Sequence, residues 1–108
     1  MDNLRVLDDA FLALADSTRR AVLTRLARGA ASVSELAAPS SMALPSFMKH
    51  IHILERSGWI QTHKLGRIRT CTFVPSQLPV VGDWLAGQKA LWEARTDRLE
   101  RFLDLETE

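Results

Sequence analysis

The chain has 108 residues, 46% hydrophobic and 25% charged, values that suit one folded domain and exclude disorder, collagen-like repeats and a second domain. A single cysteine, Cys71, excludes an intramolecular disulfide or multi-cysteine metal site within the chain, and the longest nearly uncharged stretch, residues 29–47, is broken by Pro39 and Pro45 and cannot span a bilayer. The net charge of +1 hides a partition: residues 1–16 sum to −3, residues 17–75 to +7 and residues 76–108 to −3, which marks the middle segment as the place to meet a polyanion.

Residues 1–9 carry three aspartates and one arginine, the wrong charge for a secretory signal, so the expected location is the cytoplasm. Leu4, Leu7, Phe11, Leu12 and Leu14 recur at helical spacing and predict a short amphipathic first helix. Asp16 then has the chemistry of an N-cap for a second helix over residues 17–28, with Ala21, Val22, Leu23 and Leu26 inward. Ser32 and Glu35 make a capping box that predicts a third helix over residues 33–38, ended by Pro39. Leu44 and Pro45 open a fourth helix that carries Phe47, Met48, Ile51, Ile53 and Leu54 inward and Ser46, Lys49, His50 and His52 outward, ending at Ser57 and Gly58.

Two helices joined by a short turn predict a helix-turn-helix over residues 33–57, whose second helix offers its N-terminal half to the major groove of double-stranded DNA. Residues 59–64 and 67–73 then read as the strands of a β-hairpin around Leu65 and Gly66, with Lys64, Arg67 and Arg69 at or beside its tip. The predicted fold is therefore mainly α with a small β-hairpin, a winged helix-turn-helix in the order α-α-α-α-β-β-α, with the wing over residues 59–73. A last helix of about 29 residues, roughly 43 Å long, exceeds what so small a core needs. Leu78, Val81, Leu85, Gln88, Trp92, Arg95, Leu99 and Phe102 fall on alternating steps of three and four along it. Together with the first helix it predicts a two-fold interface through Leu4, Leu7, Phe11, Leu85, Trp92, Leu99 and Phe102, with residues 1–15 and 76–108 as the dimerisation helices. Trp84 and Trp92 could alternatively line an apolar ligand cavity near that interface.

The segment Phe11-Leu12-Ala13-Leu14-Ala15-Asp16-Ser17-Thr18-Arg19-Arg20 resembles the opening pattern "FkALaDptRR" of the ArsR family of transcriptional regulators. Ser32-Val33-Ser34-Glu35-Leu36-Ala37 resembles that family's "tVsELA", residues 45–60 resemble its recognition helix "pavSkHLkvLerAGLI", and Gly66-Arg67-Ile68-Arg69 resembles its wing signature "GReh". Met48 stands where the family usually has a DNA-contacting serine, while Lys49 and His50 keep theirs. The resemblance spans essentially the whole chain and implies a homodimer that binds a roughly palindromic operator and represses transcription until a signal, such as a small-molecule effector, weakens binding.

The metal sites found in that family are not matched. Residues 35–38 lack the thiolate pair that a soft cation requires, and residues 77–108 contain no histidine. The resemblance is therefore to the branch that works without a metal, and no cofactor is expected. His50, His52 and His63 fit DNA-facing or surface roles better than ligation, and Cys71 fits a packed strand better than a redox sensor. No nucleophile and base, glycine-rich phosphate loop or carboxylate cluster supports an enzyme. The other class open to the sequence is a protein interaction module that keeps the winged helix and binds its partner through the tryptophan-bearing last helix.

Overall fold

Helix α1 (Asn3–Leu14), helix α2 (Ser17–Leu26), strand β1 (Ala31–Ser32), helix α3 (Val33–Ala37), helix α4 (Leu44–Arg56), strands β2 (Ile60–Leu65) and β3 (Ile68–Phe73), a 3-10 turn (Pro75–Gln77) and helix α5 (Leu78–Thr107) follow one another along the chain. The computed structural model describes residues 3–107; residues 1, 2 and 108, assigned above to the end helices, lie outside the described residues. The arrangement is a winged helix-turn-helix, mainly helical, with a small antiparallel sheet.

Local chemistry fixes the helix starts. The Asp16 carboxylate accepts from the Thr18 and Arg19 amides at 2.8 and 3.2 Å and begins α2. At α3 the Glu35 amide donates to Ser32 Oγ at 3.1 Å while the Ser32 amide donates to Glu35 Oε1 at 3.2 Å, which completes the capping box. Helix α4 has Pro45 in its first turn, where no intrahelical donor is needed.

The sheet differs from the hairpin expected above in two ways. It has three strands in the order β1-β3-β2, because Ala31 and Ser32 pair with Cys71 and Thr70. The hairpin loop is Gly66-Arg67, with Leu65 paired to Ile68, rather than Leu65-Gly66. Gly66 adopts φ 63°, and in a two-residue loop with one left-handed residue glycine takes the first position. The shift turns the wing tip partly apolar: Leu65 and Ile68 are exposed there, with Lys64 and Arg69 as the next pair inward.

The core is built from Val22, Leu23, Leu26, Leu36, Phe47, Ile51, Leu54, Trp59 and Ile60, closed by small residues that include Ala10, Ala13 and Cys71. Helix α1 thus meets the core through Ala10 and Ala13, with Leu14 packed against its edge, while Leu4 and Leu12 stay exposed. Trp59 fastens it there, its indole N–H donating to the Ala10 carbonyl at 3.2 Å. Ala21, expected inward, is exposed, and α2 instead buries Arg19. Helix α5 has 30 residues, and from Gly82 to Glu106 every one is exposed in the protomer.

Gln77 joins the end of α4 to the start of α5: its side-chain amide donates to the Ser57 carbonyl at 2.6 Å. Gly58, at φ 84°, lies beneath it, and a Cβ there would come within 2.7 Å of Gln77 Nε2. Gly58→Ala is expected to lower stability by about 1–2 kcal/mol, from left-handed strain and displacement of Gln77. Urea unfolding checks this, as a lower midpoint at unchanged slope.

Candidate nucleic-acid interface

Helix α4 buries Phe47, Ile51 and Leu54 on one face. The opposite face carries Pro45, Lys49, His52 and Arg56 at steps of four, three and four, all exposed, so they form one stripe along the helix. Ser46 is exposed to one side of that stripe. Arg56, counted above only among the cations of the middle segment, extends it by one turn; its position four residues after His52 and seven after Lys49 is the signal that places it there.

His50 does not join them. Its side chain is only 18% exposed, and Nδ1 lies 3.0 Å from Arg19 Nη1 and 3.8 Å from the Asp16 carboxylate. The expectation that His50 points outward is corrected: the residue sits at the margin of the buried face of α4, turned toward the start of α2.

Arg19, to which the sequence assigned no direction, is the partner it meets there. It is buried, and its Nε–H and Nη2–H donate to the carbonyls of Ala13 and Leu12 at 2.7 and 2.8 Å. Arg20 donates to the Leu14 carbonyl at 2.8 Å. Both arginines therefore cap the C-terminus of α1, where cations complement the helix dipole.

Burial opposes ionisation of Asp16, but amide donation by Arg19, amide donation by Thr18 and the positive charge of the Arg19 guanidinium hold its carboxyl below the ordinary aspartate range. A depressed folded value means stabilisation that is complete above the unfolded value, about 3.9, and is lost as pH falls through the folded one. Asp16→Ala is expected to cost about 1 kcal/mol at pH 7. The difference from the parent chain should narrow as pH falls through the folded value, and a gap in thermal unfolding that does not shrink with acidification would refute the assignment.

On the wing, Lys64 and Arg67 are exposed. Arg69 is half-buried: it donates to Thr62 Oγ1 at 3.0 Å, and that hydroxyl donates to Glu55 on α4 at 2.6 Å. A groove of about 510 Å³ separates the wing from α4, with Lys64, Arg67 and Arg69 on one wall and Leu44 and Met48 on the other. A second groove, about 840 Å³, runs between α2 and the α3–α4 turn, with Arg25 and Arg28 above Val22 and Leu36. Arg25 there is engaged by Glu35 at 3.8 Å and by the Gly29 carbonyl at 3.1 Å.

Of the residues expected at a dimer interface, Leu4, Leu85, Trp92, Leu99 and Phe102 are more than half exposed. Leu7 and Phe11 are half-buried in the protomer. Phe11 meets Trp84 edge-on at 5.5 Å, which holds the start of α5 against α1. Among the described residues no group of three or more His, Cys, Asp or Glu side chains could hold a metal ion, and no helix is long and apolar enough to cross a membrane. Burial, with a smaller contribution from Glu55, pushes the Cys71 thiol up, so little thiolate forms at neutral pH.

A helix-turn-helix domain model matches residues 14–60. The chain is 35% identical over 78 residues to the HTH-type transcriptional regulator Rv2034 of Mycobacterium tuberculosis, covering 72% of this chain and 73% of that protein. Among solved structures, it is similar to the ArsR family transcriptional regulator RHA00566, at 63% identity and TM-score 0.81, covering 82% of this chain and 92% of that one. The homodimeric winged helix-turn-helix DNA-binding domain of Mb0332 from Mycobacterium bovis shares the fold, at 22% identity and TM-score 0.60, covering 87% of this chain and 81% of that one.

Proposed function

Because the chain belongs to the ArsR family of winged helix-turn-helix transcriptional regulators, we propose that it acts in the cytoplasm as a homodimeric repressor on a roughly palindromic operator, released by a signal. The observation that carries this reading is the exposed stripe Lys49, His52 and Arg56 on α4, beside a wing bearing Lys64 and Arg67. Ser46, Lys49 and His52 contact base edges or brace the major groove, and Lys64, Arg67 and Arg69 hold phosphates or the minor groove. Residues 33–57 serve as the helix-turn-helix, residues 59–73 as the wing, and α1 and α5 as the dimerising helices.

Pairing through α1 and α5 is supported by the exposed heptad-spaced residues Leu85, Trp92 and Leu99. Two copies related by a two-fold axis present two recognition helices to successive major grooves, which suits a palindrome. The lack of a thiolate pair in residues 35–38 and of histidine in residues 77–108 supports a signal other than a metal ion at those places.

The test is fluorescence anisotropy on the gene's own upstream DNA, with unlabelled competitor and two salt concentrations. Tight binding that survives nonspecific competitor supports the operator-reading repressor. Weak, steeply salt-dependent binding alone would overturn it and favour a protein partner for the last helix.

A further inference from the structure

We propose that Arg19 is a positioning residue for the recognition helix: its guanidinium locks His50 in the neutral Nε2–H tautomer and thereby sets how α4 seats against the α1–α2 corner. The consequence for DNA rests on the operator-binding function proposed above.

The chemistry leaves one assignment. A guanidinium has five N–H donors and no acceptor, so the 3.0 Å contact between Arg19 Nη1 and His50 Nδ1 is a hydrogen bond only if Nδ1 is unprotonated. The ring proton then resides on Nε2, as the partner of one ring nitrogen dictates the state of the other.

The same guanidinium is held by two further bonds, to the carbonyls of Leu12 and Ala13 at the end of α1. One buried cation on α2 therefore links the last turn of α1 to the middle of α4. Position 50 lies between Lys49 and the buried Ile51, so a rotation of α4 that broke this bond would also turn the Lys49 stripe. A buried donor left without a partner is costly, and that cost holds the helix in this setting.

Multiple-bond ¹H–¹⁵N correlation spectra of the free full-length protein read the tautomer directly. The expected result is a single Nε2–H pattern for His50. A Nδ1–H or averaged pattern would overturn the proposal whatever the protein does with DNA.

Two substitutions then read the positioning role. Asparagine places an amide oxygen the same number of bonds from the backbone as Nδ1, so His50→Asn retains an acceptor for Arg19, whereas His50→Phe retains a ring without one. His50→Phe is expected to weaken operator binding about tenfold at a temperature where the variant is folded and dimeric, and His50→Asn to stay within about twofold of the parent.

In an Arg19→Met background the two His50 variants should bind alike, since the acceptor then has nothing to accept from. Equal losses in His50→Asn and His50→Phe with Arg19 in place would mean that His50 acts on DNA itself, and the positioning role would be abandoned. Undiminished binding by His50→Phe would overturn it too. Absence of specific DNA binding by the parent chain would refute the operator function and with it the positioning role, while the tautomer spectrum would still decide the Arg19–His50 contact.

Discussion

A chain carrying Leu85→Asp together with Leu99→Asp is expected to be a folded monomer with operator affinity at least about 100-fold below the parent. Both leucines are more than half exposed in the protomer, and neither belongs to the core of Phe47, Ile51, Leu54, Trp59 and Ile60. Their removal should therefore leave protomer packing intact. Burying a leucine contributes about 1.5–3 kcal/mol, and two copies of each lie on the proposed two-fold seam. Replacing them with carboxylates removes that gain and sets like charges against one another, so association fails at micromolar concentration. A monomer holds one half-site and loses the second set of contacts. Sedimentation equilibrium with circular dichroism and anisotropy checks the whole expectation. A dimeric double variant would show that α5 is not the seam, and a monomer with parental affinity would show that the operator is read by one protomer.

Lys49→Ala, compared with Arg67→Ala, should separate base reading from backbone holding. Lys49 lies in the middle of the exposed stripe of α4, where a major-groove contact is worth about 1–3 kcal/mol per copy. With two copies in the dimer, Lys49→Ala is expected to lower operator affinity about 100-fold while nonspecific binding changes far less. Arg67 occupies the hairpin loop, and its removal should weaken all sequences alike and reduce the salt slope by about two per dimer. If Lys49→Ala leaves the ratio of specific to nonspecific binding unchanged, α4 does not read bases through Lys49.

The start signals of the helices were legible because they are local. Asp16 before α2 and the Ser32/Glu35 pair before α3 need only neighbouring amides, and both cap as their spacing predicts. The face of α4 was legible too, except at His50, whose place at the margin of the buried stripe leaves its direction to the neighbour it meets. That neighbour, Arg19, was illegible. A cation in a polar helix reads as solvent-exposed, and only the folded corner supplies the two carbonyls and the imidazole that make burial tolerable. Strand β1 escaped because two residues show no periodicity, and it forms only once β3 offers Cys71 and Thr70 as partners. The hairpin loop slipped by one residue because the sequence shows a glycine but not which loop position it fills.

Helix α1 buries Ala10 and Ala13 and displays Leu4 and Leu12, so its two faces answer to different selective pressures. At Ala10 and Ala13, both fully buried, a larger side chain would strain the protomer itself, and drift there is closed. At Leu12, more than half exposed, the protomer tolerates change. With α1 on the proposed two-fold seam, duplicated copies of such a gene can diverge in which chains they pair with, and so avoid mixed assemblies, while the half of the molecule that carries α4 and the wing remains as it was.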